Sequence, residues 1–104
     1  MGYGQRPRIR FSKGRAMPTY MVERILPGAT METVEVIQEA ARRASETFQV
    51  EGRPVRYVHS IFTPGESRCR CLFEAPTAQL VQELNDAAQI PYSRIVIAID
   101  LTVK

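Results

Sequence analysis

Two amphipathic helical stretches with two strand-like runs between them, and one more run at either end, leave this chain few ways to fold. Residues 19–26 (TYMVERIL) are rich in β-formers and are stopped by Pro27-Gly28. Thr30 has the chemistry of an N-cap, and Glu32 and Glu35 follow in the first turns, where carboxylates suit the helix dipole. Val34, Ile37, Ala41, Ala44 and Phe48 then recur every three or four positions, with Glu39, Arg42, Arg43 and Glu46 off the stripe. Gly52-Arg53-Pro54 ends that helix. Residues 55–62 (VRYVHSIF) and 68–74 (RCRCLFE) read as strands around a five-residue hairpin loop, Thr63 to Ser67. Thr77 caps a second helix with apolar positions Leu80, Val81, Leu84, Ala87 and Ala88, and Pro91 halts it. Ile95, Ile97, Ile99, Leu101 and Val103 alternate with Arg94, Val96, Ala98, Asp100 and Thr102, the period of a last strand.

The order β-α-β-β-α-β is that of a split βαβ domain, an α+β fold of ferredoxin-like type. Right-handed crossovers place its strands in one antiparallel sheet, order 4-1-3-2, with both helices on one face. The other face has no cover within such a domain. A chain of 104 residues builds one core, and at this size only about 60–65% of the unfolded surface is hidden on folding. An open sheet face is then costly, and a homodimer paired through it is the expected remedy.

Charge is unevenly spread. Residues 1–17 hold Arg6, Arg8, Arg10, Lys13 and Arg15 with no acid, which leaves nine basic against eleven acidic residues in the rest. Residues 1–16 are expected to be a basic extension outside a domain spanning 17–104. Such an arm can neutralise phosphates, and Tyr3 and Phe11 can stack on bases, but nucleic acid is not the expected partner of a slightly acidic domain. No apolar run approaches the roughly 18–20 residues of a membrane span, and no signal-peptide pattern is present, so a cytoplasmic location is expected. Cys69 and Cys71 share one face of a strand, badly directed for a disulfide, and read as free thiols.

With a five-residue loop, Phe62 pairs with Arg68. Ile61 then opposes Cys69, His59 opposes Cys71 and Tyr57 opposes Phe73. This register sets the one histidine beside both thiols, and imidazole and thiolate are ligands for zinc, nickel or copper. A one-residue slip would part them. The candidate metal ligands are therefore His59, Cys69 and Cys71. The plainer alternative is that the cysteines fill space in the core and the histidine is a bystander. A second use of the same face is a pocket for a small ligand lined by Glu23, Arg24, Tyr57 and His59, with His59 moving a proton as the catalytic group. No nucleophile elbow, P-loop, dinucleotide fingerprint or HExxH is present.

The stretches Met17-Pro18-Thr19-Tyr20-Met21-Val22-Glu23-Arg24, Tyr57-Val58-His59-Ser60, Cys71-Leu72-Phe73-Glu74-Ala75-Pro76 and Ile90-Pro91-Tyr92-Ser93-Arg94-Ile95 resemble a small bacterial family. Its members are ferredoxin-like domains, and they include a nickel-binding actinobacterial protein. The resemblance covers about residues 17–103. It implies the fold, dimerisation, and a domain that starts near Met17-Pro18. It also brings in nickel as a metal, although Val22-Glu23-Arg24-Ile25 stands where that nickel-binding member has a histidine-rich first strand. The sequence thus leads to the expectation of a dimer that binds a small ligand or a transition metal such as nickel or zinc. The alternative is a small dimeric α+β-barrel-type enzyme using His59.

Overall fold

The computed structural model describes residues 17–99 and 101. In chain order these form β1 (Thr19–Ile25), α1 (Met31–Val50), β2 (Arg56–Thr63), a 3-10 turn (Pro64–Glu66), β3 (Arg68–Glu74), α2 (Ala78–Ala87) and β4 (Arg94–Ala98). The sheet order is β2-β3-β1-β4, which read from the other edge is 4-1-3-2, and every neighbouring pair is antiparallel. The expected ferredoxin-like α+β fold is therefore present. The reading of residues 1–16 lies outside the described residues.

Each helix starts where its cap was expected. The Thr30 hydroxyl accepts from the Thr33 N–H at 3.2 Å, and the Thr33 hydroxyl accepts in return from the Thr30 N–H at 3.4 Å. This reciprocal box satisfies two donors that a helix end leaves without partners. Thr77 caps α2 through the Leu80 N–H. At the end of α1, Gly52 takes φ +81°, and the Arg53 guanidinium lies 3.6 Å over the Phe48 ring.

One core fills the space between helices and sheet. Val34, Ala41 and Phe48 of α1 and Val81 and Leu84 of α2 pack on Tyr20 and Val22 of β1 and on Cys69, Cys71 and Phe73 of β3. The pattern in β3 is strict: Cys69, Cys71 and Phe73 are buried while Arg68, Arg70 and Leu72 are not, the period-two signature of a sheet covered on one side. One polar side chain on the α1 stripe ties that helix to β2. The Ser45 hydroxyl donates to the Val55 carbonyl and accepts from the Tyr57 N–H, both at 3.0 Å.

Two expectations need correction. Among the described residues the last strand pairs as far as Ala98, the partner of Thr19, where its neighbour β1 begins. Ile99 and Leu101 lie outside the strand, and residues 100 and 102–104 are outside the described set. The hairpin register also differs. Thr63 belongs to β2 and pairs with Arg68, so Phe62 opposes Cys69, Ser60 opposes Cys71 and His59 opposes Leu72. The turn holds four residues instead of five. Ser67 closes it in the left-handed region (φ 54°), with its N–H bonded to the Pro64 carbonyl. Beyond an irregularity between Tyr57 and His59, Tyr57 returns to its expected place opposite Phe73.

Candidate functional site

Alternation along Arg68-Cys69-Arg70-Cys71 sends two thiols into the core and two guanidiniums to the open face, so the same strand furnishes two unlike clusters.

The inner cluster is a polar seam through an otherwise apolar core. The Tyr57 hydroxyl lies 2.6 Å from the Ser60 hydroxyl, Ser60 donates to the Cys71 sulfur at 3.0 Å, and the two sulfurs are 4.0 Å apart. Arg24 faces Cys69 across the β1–β3 ladder and is wholly buried, at 0% exposed. Its Nη1 donates to the Pro91 carbonyl at 3.0 Å, while Nε and Nη2 have no partner among the described residues. A buried guanidinium with no carboxylate paired to it among the described residues is expensive, and here a sulfur is the compensating group. The Cys69 hydrogen bond, the Arg24 charge and the Ser60 hydroxyl together lower the Cys71 pKa to about 6, against the opposing pull of burial. Donating to Cys71 and being buried push the Cys69 thiol up.

The outer cluster centres on Glu23, whose side chain is 6% exposed although it stands on the helix-free face. Arg94 donates to Oε1 at 2.8 Å, and Arg70 and Arg68 approach Oε2 at 3.2 and 3.3 Å. The cross-strand pairs Glu23–Arg70 and Glu23–Arg94 set this geometry. The hydrogen bond from Arg94, reinforced by the charges of all three arginines, holds the carboxyl below its ordinary range. A carboxylate with a lowered folded pKa stabilises the fold fully above its unfolded value, about 4.3, and loses that contribution as pH falls through the folded one. Urea midpoints of wild type and Glu23→Gln should therefore differ most near neutral pH and converge below about pH 4. A gap that stays constant down to pH 3 would show that the cage acts by packing alone.

Of the residues singled out from sequence, Tyr57, Cys69, Cys71 and Arg24 meet on the core face. His59 does not join them. It is exposed on the opposite face, across from Leu72, because the one-residue register change turns every side chain near the hairpin over. Glu23 and Arg24, adjacent in sequence, point to opposite faces. Among the described residues, no group of three or more His, Cys, Asp and Glu is placed to hold a metal. Sequence reasoning missed Ser60, whose place beside Cys71 depends on the register. It also missed the arginine cage, although the Arg-Cys-Arg-Cys alternation already set both arginines opposite the thiols. A 410 Å³ cavity lined by Asn85, Asp86, Gln89, Ile90, Pro91 and Tyr92 shares Pro91 with the inner cluster. No helix among the described residues is long and apolar enough to cross a membrane.

No curated protein matches the chain. The crystal structure of SCO4226 from Streptomyces coelicolor A3(2) matches with a TM-score of 0.60 at 20% identity, over 82% of this chain and 99% of that one, a likeness of fold. The sequence model of a family described as nickel responsive protein SCO4226-like matches residues 20–97, which is most of the chain and takes in β1 through to β4. This chain belongs to the SCO4226-like family.

Proposed function

We propose that this protein binds a thiophilic transition-metal ion through Cys69 and Cys71, as a homodimer paired across the open sheet face. The observation that carries the reading is the pair of sulfurs 4.0 Å apart on one rigid strand, with Ser60 and Arg24 set to favour the thiolate form. One ion with metal–sulfur bonds of about 2.3 Å reaches both sulfurs at that separation. The family description adds a response to nickel, which makes nickel one ion to test. Tyr57 belongs to this site as the outer end of the hydrogen-bonded seam. His59 lies outside it in a single protomer, and no observation favours the alternative of proton-transfer catalysis there: His59 lines neither the cavity beside Pro91 nor the 310 Å³ cavity beside Gln49 and Pro54.

Support for the dimer comes from the open face, where Val96, Met21 and Leu72 form an apolar row across three strands that His59 continues on β2, with Ile61 on the same face opposite Arg70 of the arginine cage. Ile61 is 52% exposed in the single chain, and pairing two such faces removes that apolar area from water.

The test is a panel of nickel(II), zinc(II) and copper(I), each added to reduced, tag-free protein and followed by gel filtration under argon. At least one ion should co-elute at one per chain, vanish with Cys69→Ser or Cys71→Ser, and persist with His59→Ala. Retention that ignores both cysteine substitutions, or no retention of any ion, overturns the reading. The same column, calibrated by sedimentation, should report twice 11.8 kDa.

A further inference from the structure

The buried guanidinium beside the thiol pair restricts the charge of any ion held there. We propose that Cys69, Cys71 and Arg24 form a site selective for a soft univalent cation of the copper(I) class over divalent nickel or zinc. This inference rests on the reading of the thiol pair as a metal site and narrows it to one chemical class.

Three observations carry it. The first is the donor set. Two sulfurs face each other at 4.0 Å, and among the described residues no further His, Cys, Asp or Glu completes a cluster with them. Thiolate pairs suit copper(I), which is content with few soft ligands, whereas nickel(II) favours four donors in a tetragonal arrangement and structural zinc four in a tetrahedral one.

The second is charge. Arg24, Cys69 and Cys71 are all 0% exposed, so any imbalance among them is held in a low-dielectric interior, where an uncompensated charge is costly. Once both cysteines coordinate as thiolates, a univalent ion and the guanidinium together cancel their two negative charges. A divalent ion leaves one positive charge with no ion-pair partner among the described residues, since Glu23, the nearest carboxylate in sequence, is engaged by three arginines on the other face. Family membership points towards nickel, and this charge count points away from it.

The third is the unspent hydrogen-bonding capacity of Arg24. Its Nε and Nη2 donors are fully buried and have no partner among the described residues. An anionic bis-thiolate complex beside them presents sulfurs with the electron density to accept those donors. A neutral complex of a divalent ion presents weaker acceptors and gains less from the guanidinium. Ser60 supplies a further donor to Cys71 from the β2 side at 3.0 Å. The thiol pair is thus flanked by donors on both neighbouring strands.

The experiment is a competition titration under argon. Reduced full-length protein competes with a chromophoric copper(I) chelator, and in parallel with chromophoric chelators for zinc(II) and nickel(II). Copper(I) should be taken up at one equivalent per chain, with nickel and zinc held at least about tenfold more weakly relative to their chelators. Removing the charge with Arg24→Met should shift the preference towards the divalent ions by about tenfold or more, the scale on which one nearby charge acts on an ionised neighbour. Arg24→Lys keeps the charge and should keep the preference. Circular dichroism of each variant shows that the fold is retained before its affinities are compared. Nickel or zinc bound through both cysteines as tightly as copper(I) would overturn the selectivity while leaving the thiol-pair site standing. Uptake of no ion would overturn both. An Arg24→Met variant with unchanged preference would remove Arg24 from the site.

Discussion

Phe73→Ala is expected to lower unfolding stability by about 3–5 kcal/mol, the usual cost of emptying a buried aromatic position. Phe73 is 0% exposed and sits on β3, an inner strand, opposite Tyr20 on one side and Tyr57 on the other. Its ring meets that of Tyr57 edge-on, with centroids 5.6 Å apart and planes at 67°. Truncation removes this contact and leaves a void between sheet and helices that a close-packed interior refills poorly. A domain of this size has about 5–15 kcal/mol of stability in all, so the variant should unfold at a much lower urea midpoint with an unchanged slope. A loss below about 1 kcal/mol would mean that the core is centred elsewhere. Tyr57 is also the outer end of the seam leading to Cys71, so metal uptake by folded Phe73→Ala protein should weaken together with stability.

The second large effect runs against the usual rule for buried charges. Removing one member of a buried ion pair usually costs about 3–5 kcal/mol, because the other is left charged with no partner. Arg24→Met should instead be neutral, or stabilise by about 1–4 kcal/mol, the range found when buried ionic groups give way to apolar ones of similar size. The difference lies in the partner. A carboxylate stranded in a core stays costly, whereas a thiol returns to its neutral form by keeping its proton. The substitution also removes two donor groups that have no acceptor among the described residues, and the methionine side chain fills much of the same path. The ultraviolet absorbance of the Cys71 thiolate near neutral pH should fall in the variant, because the Arg24 charge is one of the influences, after the Cys69 hydrogen bond, that lower its pKa. Equilibrium urea unfolding decides the matter: a loss of several kcal/mol would mean that Arg24 supports the fold. A gain would identify it as a stability cost tolerated for the chemistry of the thiol pair.

The outline of this protein was legible in its sequence because local physics carries it. The caps at Thr30 and Thr77 depend on neighbours three residues away, and the stripe from Val34 to Phe48 depends only on the helical period. The alternation through Arg68, Cys69, Arg70 and Cys71 follows from the pleat of a strand, so the thiols had to share a face and both arginines had to take the other. Element order then left one economical topology. The composition of the site depended on distant pairings that no local rule determines. Ser67 in a left-handed conformation shortens the turn by one residue, and since side chains alternate with period two, that single residue exchanges His59 for Ser60 beside Cys71. The irregularity after Tyr57 then restores the pairing with Phe73. Which neighbour of β1 would face the core was likewise undecided, because Met21 is as apolar as Tyr20 and Val22. Only the packing of α1 and α2 drew Arg24 inward to the sulfurs, and only the pairing of β1 with both β3 and β4 gathered three arginines around Glu23.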